Sequence, residues 1–299
     1  MNILVTGAFD WTKKELDELR GLGHNVIFMK QEKSSLPCDA GWIEGVIGNG
    51  FFISHSIEQF TSLKYIQLTS AGFDRVPMDY VTTHGIEIHN ARGVYSIPIA
   101  EFVISGVLQL YKKSSFFLEN QKTHKWEKHR GLLELYGKNV CIVGCGSVGT
   151  ECAKRFRAFG CSVIGIDIKP YQNELYDIMQ PLDCIDDALM CADVTVLSLP
   201  LTDETRHLMN KDRFSCFKEG AVVVNVSRGA VVDTKAMVEA LPRLGGAVLD
   251  VFEEEPLDEQ SSLWSMDRVI ITPHNSFVSE GNHVRMLDVI MNNLERIVI

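Results

Sequence analysis

The 299 residues carry 45% hydrophobic and 23% charged side chains with only 23 Gly and 9 Pro, ordinary globular usage that excludes disorder and fibrous repeats and leaves room for two domains of roughly 150 residues. Lys plus Arg is 29 against 39 Asp plus Glu, a net charge of −10 that repels phosphate backbones and anionic membrane surfaces, so no nucleic acid and no membrane is expected as partner, and an anionic substrate needs a local cationic pocket. The eight cysteines show no Cys-x-x-Cys pair and no histidine at zinc-ligand spacing, which predicts reduced thiols and no metal, and with neither a basic-apolar leader nor a spanning apolar run a cytoplasmic protein is expected.

In chain order, Ile3 to Val5 reads as a strand, and Thr12-x-x-Glu15 as a capping box ahead of Leu16 and Leu19 at helical spacing. Asn25 to Met29 reads as the next strand, followed by short apolar runs at Trp42 to Ile47, Leu63 to Leu68 and Ile86 to Ile88. A small α/β domain is therefore expected over roughly the first 90 residues. Ser96-Ile97-Pro98 opens a long helix through Ala100, Val103, Ile104, Val107 and Leu108, with the proline where a first turn tolerates it. The polar stretch Glu119 to Arg130, with His124, Lys125, Lys128, His129 and Arg130, predicts a solvated or subunit-facing helix without chemistry. From Asn139 strands and helices alternate, with strands at Val140 to Val143, Ser162 to Asp167, Val194 to Leu199, Ala221 to Val226, Ala247 to Val251 and Val269 to Ile271. That pattern predicts a parallel sheet covered on both faces. The last segment, capped by Ser279, carries Val284, Leu287, Met291, Leu294 and Val298 in one apolar stripe, which needs a core to pack on, the first domain being the candidate.

The strand Val140 to Val143 runs into Gly144-Cys145-Gly146-Ser147-Val148-Gly149, and a helical pattern follows at once. Gly144 suits the tight turn, Gly146 lets backbone approach a pyrophosphate, Gly149 allows close helix–strand packing, and the helix N-terminus favours the negative charge. The next strand ends at Asp167, where a carboxylate accepts ribose hydroxyls and repels a 2′-phosphate, so NAD is expected over NADP. Lys169 leaves some tolerance for NADP, and a glycine turn without ligand is the plain alternative. Ile3 to Ala8 also resembles a nucleotide turn, but Phe9, Asp10 and Trp11 stand where glycines are needed and no Tyr-x-x-x-Lys occurs, which makes it structural. Three later strand ends carry Ser227-Arg228-Gly229, Phe252-Glu253-Glu254-Glu255-Pro256 and Pro273-His274, and in a parallel sheet such ends face the ligand.

With Thr69 to Asp74, Ala100-Glu101-Phe102, the Gly144 turn with Asp167, Leu199 to Thr202, Asn225 to Gly229, Asp250 to Phe252 with Glu255-Pro256, and Pro273-His274 in this order, the chain resembles the D-isomer-specific 2-hydroxyacid dehydrogenases. The resemblance implies two Rossmann-like α/β domains with doubly wound parallel sheets: a discontinuous substrate domain over 1–95 and 276–299, and an NAD-binding domain over 96–275. It further implies a homodimer acting on a small 2-oxo or (R)-2-hydroxy acid. Arg228 would hold the substrate's oxo and carboxylate groups, a planar guanidinium staying charged throughout. His274 would donate and accept the proton at the carbonyl oxygen, with Glu255 favouring the imidazolium and fixing the ring. Ser70, Ala71 and Gly72 would offer backbone N–H groups to the substrate carboxylate. Ser147, Val148, Leu199, Pro200, Thr205, Val226 and Asp250 would join Gly144, Gly146, Gly149 and Asp167 around the cofactor, Asp250 at the carboxamide or as electrostatic support.

Outside the resemblance, a buried ion pair is the alternative for Arg228, a satisfied strand-end histidine for His274 and a plain turn for the 70–72 segment; Glu253 and Glu254, not sharing Glu255's place before proline, keep the reading of a solvated acidic run. Asn275-Ser276 stands where relatives carry small apolar or glycine residues, and Ser70 where glycine is frequent. Two other readings share much of the pattern, an NAD-sensing scaffold like the corepressor relatives and a phosphonate-oxidising relative. The substrate side chain is not legible, and Asn49, Gly50 and Phe51 are placed in its pocket wall by sheet position alone.

Overall fold

A computed structural model describes residues 1–297; Val298, the last member of the expected apolar stripe, and Ile299 lie outside the described residues. The chain divides into two compact units, Met1–Tyr95 with Ser279–Ile299, and Ser96–Val278. In chain order the elements are β1 (Asn2–Thr6), α1 (Lys13–Gly21), β2 (Asn25–Met29), β3 (Gly45–Gly48), α2 (Phe51–Ser54), β4 (Tyr65–Leu68), α3 (Met78–Thr83), β5 (Glu87–His89), α4 (Ser96–Tyr111), α5 (Ser114–Lys122), β6 (Asn139–Val143), α6 (Ser147–Ala158), β7 (Ser162–Ile166), β8 (Ile178–Gln180), α7 (Ile185–Cys191), β9 (Val194–Leu197), α8 (Lys211–Cys216), β10 (Val222–Asn225), α9 (Thr234–Ala240), β11 (Gly246–Leu249), β12 (Val269–Ile271) and α10 (Asn282–Arg296).

The first unit holds a parallel sheet of order β2-β1-β3-β4-β5, the second a parallel sheet of order β12-β11-β10-β9-β6-β7-β8. Both orders reverse direction once, beside β1 and beside β6, the switch that opens a ligand crevice at the strands' carboxyl ends. Period-two alternation decides the layers: along β6, Val140 and Ile142 join one apolar cluster while Cys141 and Val143 join the other, so both faces are covered and the strand reads as one apolar run. On one of those faces α4 lies so close to β11 that a Cβ on Gly106 would stand 2.6 Å from Val248.

Four sequence expectations are corrected. Trp42 closes a 3₁₀ turn (Ala40–Trp42), capped by Asp39, and its strand begins only at Gly45. The polar stretch is not one helix: α5 stops at Lys122, His124 takes φ 54°, and the Lys125 N–H closes on the Asn120 carbonyl at 2.8 Å, a left-handed stop that leaves Lys125, Lys128, His129 and Arg130 in irregular chain. Gly281, not Ser279, caps α10, and Ser279 instead accepts the Gly281 N–H. The buried stripe of α10 is Met286, Ile290 and Leu294, packed on Ile3, Val5, Leu19, Ile47 and Tyr65, whereas Val284 is 62% exposed. All eight cysteines carry free thiols, no helix among the described residues is long and apolar enough to cross a membrane, and no group of three potential ligands that could hold a metal occurs among them.

Candidate active site

The glycine turn after β6 is built as its residues require. Gly144 has φ 93° and a Cβ there would stand 2.8 Å from the Ser198 carbonyl; a Cβ on Gly149 would stand 2.2 Å from the Gly144 oxygen. Neither position accepts a side chain. Gly146, the N-cap of α6, has nothing within 4 Å of where its Cβ would lie, so backbone at the start of a twelve-residue helix lies open there, with Ser147 and Val148 in its first turn. The Asp167 carboxylate sits beside this turn, accepting the Cys145 N–H at 2.8 Å and the Lys169 N–H at 3.0 Å. An open helix start with a carboxylate one strand away fits a dinucleotide's pyrophosphate and ribose. Ser198 Oγ donates to the Gly144 carbonyl and Tyr171 Oη to the Cys145 carbonyl; Tyr171 escaped the sequence reading because no period or motif marks it. Beyond β9, Thr205 is buried, its Oγ1 donating to the Pro200 carbonyl and accepting from the Thr202 N–H, which shapes the turn after Leu199. Val226 is buried in the core.

Three neighbouring strands in register deliver the remaining groups, since Asn225 pairs with Leu249 and Leu249 with Ile271. After β10, the Asn225 amide accepts from the Ser227 N–H and Oγ and donates to the Arg228 carbonyl, fixing the backbone that carries Arg228, whose Nη1 donates to the Ser227 carbonyl. A Cβ on Gly229 would fall 1.8 Å from the Phe252 carbonyl carbon, so only glycine lets this turn lie against the next strand's exit.

After β11, Asp250 is 1% exposed, and its carboxylate accepts from Thr272 Oγ1 at 2.6 Å, from the Asn275 N–H at 2.7 Å and from the Ser276 N–H. It clamps the loop after β12. That loop presents His274 at φ 51°, its N–H bound to the Asp250 carbonyl and its ring edge-on to Phe277. His274 Nδ1 lies 2.9 Å from Glu255 Oε2, while Glu255 Oε1 accepts the Phe252 N–H. With a carboxylate opposite, Nδ1 is the donor and Nε2 is left to exchange a proton.

Glu253 is exposed, as its acidic run suggests, but it also bonds His207 Nε2 at 2.6 Å and the Thr234 N–H at 2.9 Å. Burial alone would raise its carboxyl, but the bonds from Thr234 and His207 outweigh that and hold it below the usual carboxylate range.

Ser70, Ala71 and Gly72 belong to the first unit, at the exit of β4. The carbonyls of Thr69, Ser70, Ala71 and Gly72 each accept a hydrogen bond, from Tyr95 Oη, the Ala91 N–H, Asn90 Nδ2 and Ser70 Oγ, which fixes the orientation of this turn's peptides. Next to it, after β3, the Glu32 carboxylate accepts the Asn49 and Gly50 N–H groups and Thr6 Oγ1; sequence reasoning missed Glu32, since only the fold brings it there.

A family model described as D-isomer specific 2-hydroxyacid dehydrogenase, NAD binding domain, matches residues 104–276. The chain is 35% identical over 230 residues to a D-3-phosphoglycerate dehydrogenase of Methanocaldococcus jannaschii, a match covering 75% of this chain and only 43% of that protein. It is 32% identical over 241 residues to a glyoxylate reductase of Thermofilum pendens, covering 78% and 71%. The crystal structure of a D-isomer specific 2-hydroxyacid dehydrogenase from Xanthobacter autotrophicus Py2, in complex with NADPH and MES, superposes with a TM-score of 0.80 at 26% identity over 98% of this chain and 94% of that one. On the extent of these matches, this chain belongs to the D-isomer specific 2-hydroxyacid dehydrogenase family.

Proposed function

We infer that the protein is an NAD(H)-dependent oxidoreductase interconverting a small 2-oxo acid and its (R)-2-hydroxy acid. The observation that carries this reading is the His274–Glu255 pair, 2.9 Å apart, with His274 on a loop clamped by a buried carboxylate and Glu255 at the strand exit next to that of Arg228. When bound, the nicotinamide supplies the hydride. Arg228 holds the substrate's oxo and carboxylate oxygens by its planar fork. His274 Nε2 gives a proton to the oxo oxygen in reduction and takes one from the hydroxyl in oxidation, while Glu255 keeps the other nitrogen as donor. The Gly144–Gly149 turn with Asp167 holds the cofactor. A panel of 2-oxo acids followed by NADH absorbance tests the reading. Oxidation of NADH with at least one small member is expected, and silence across the panel overturns it.

Asp167 makes NADH the better cofactor, because a ribose 2′-phosphate would meet its carboxylate. NADH should titrate more tightly than NADPH, and Asp167→Ala should narrow the gap; coincident curves for the unmodified protein would contradict this. The homodimer reading is supported by the exposed apolar side chains in and after α5, namely Phe117, Leu118, Leu132, Leu133, Tyr136 and the 98% exposed Trp126. Light scattering should return twice the monomer mass, and Trp126→Glu should lower it toward one.

A further inference from the structure

Three loops of the second unit carry the groups assigned above, the turn after β10 with Arg228, the exit of β11 with Glu255 and the loop after β12 with His274. Nothing in the reaction explains why Glu253, two residues before Glu255, spends its carboxylate on the turn after β10. Its Oε2 takes the Thr234 N–H, at the start of α9, and its Oε1 takes His207 Nε2. His207 reaches that turn a second time, its N–H donating to the Ala230 carbonyl at 2.8 Å, and it holds φ 49° to do so. The backbones themselves meet at Gly229, where no Cβ fits against Phe252. At the other end of the same short segment, Glu255 closes on the Phe252 N–H and on His274.

We propose that Glu253 is a positioning residue whose carboxylate, with His207, staples the loop bearing Glu255 to the turn following Arg228, so that the substrate-orienting guanidinium and the proton-transferring pair are held in one register. A carboxylate suits this task because it accepts at two oxygens at once, one bond to each side of the joint, and bonds to an ionised acceptor are the stronger kind. Its lowered proton affinity agrees, the bonded form being the ionised one. Removing it frees segment 252–255 to shift against Arg228 while leaving the cofactor turn after β6 untouched. The assignment rests on the roles given above to Arg228, Glu255 and His274.

The test uses the full chain and two readouts. In steady-state kinetics with NADH and an accepted 2-oxo acid, Glu253→Ala should lower kcat by up to about 10²-fold, the scale of an ångström's misplacement, with the NADH titration unchanged; Glu253→Asp should restore part of it. In nuclear magnetic resonance, the hydrogen-bonded Nδ1 proton of His274, lost in Glu255→Ala, should also be lost or broadened in Glu253→Ala and in His207→Ala. If Glu253→Ala fails to fold, Glu253→Gln, which keeps the shape and one acceptor oxygen, takes its place. A His274 Nδ1 proton as persistent in these variants as in the parent overturns the staple, even if the rate has dropped. Full activity of His274→Ala would overturn the proton-transfer reading instead, and the resonance would still decide the staple.

Discussion

His207 and His274 hold φ of 49° and 51°, angles uncommon for residues with a Cβ, and each meets a carboxylate from the same acidic run, Glu253 and Glu255. That run shows what one residue's sequence context reveals. Glu255 was legible through its position before Pro256 in a motif, whereas Glu253 was not, because its partners His207 and Thr234 come from chain 46 and 19 residues away and no spacing rule links them. Asp250 was singled out only through the resemblance, and its clamping of the 272–276 loop depends on where β11 and β12 end. At this scale His274→Ala should cost about 10²–10⁴ in kcat in either direction, the contribution of a positioned acid or base, while fluorescence titration shows NADH still binding. A variant retaining most of its rate would require another proton donor. Asp250→Ala strips the acceptor from two loop N–H groups, and should destabilise by roughly 1–3 kcal/mol, read as a lower thermal midpoint.

Most inner strands, buried on both faces, announce themselves as apolar runs and were found within a few residues, whereas β2 and β12, outer strands that are only partly buried, were bounded by short β-branched and apolar stretches. The edge strand β8, three residues with Gln180 at its end, offers no such run and carried no expectation. In α10 the phase was misread for a physical reason: Val284, Met286, Leu287, Val289, Ile290 and Met291 are all apolar, so a stripe can be drawn along more than one line of a helix, and packing selects Met286, Ile290 and Leu294. Interactions between element ends were invisible to pattern altogether. Asp193, just before β9, accepts the Asn139 N–H at the start of β6 and Lys218 Nζ near β10. Burial alone would raise its carboxyl, yet the Lys218 and Asn139 bonds outweigh that and hold it below the usual range. A depressed folded value means stability that is present above the unfolded value, about 3.9, and lost as pH falls through the folded one. Asp193→Asn should therefore cost roughly 1–3 kcal/mol at neutral pH, and acid titration should bring parent and variant together. A gap that persists at the acid end would assign the cost to packing instead.

The whole molecule is two bodies with separate cores, and the chain leaves the first at Tyr95 and re-enters it at Ser279. Sequence pattern could place the sheets, and with them the units, because each sheet needs its own covered faces; what it could not supply was the phase by which α10 rejoins the first core. Burial of Met286, Ile290 and Leu294 is worth roughly 1.5–3 kcal/mol each, comparable in sum to the net stability of a small domain. A chain truncated after Val278 should accordingly expose residues 1–95 to limited proteolysis while 96–278 resists and still binds NADH; equal resistance of both parts would show that α10 is dispensable.

The same connectivity fixes an order in time. A ribosome releases residues 1–95 before Ser96–Val278 and α10 after it, so the first unit is completed only once all of Ser96–Val278 has emerged and can close on itself. Until then Ile3, Val5, Leu19, Ile47 and Tyr65 remain uncovered on the nascent chain, an apolar surface suited to a holding chaperone rather than to independent folding. On nascent chains stalled before α10, residues 1–95 should be the segment still bound or cleaved, so that this unit matures by waiting for α10 to emerge.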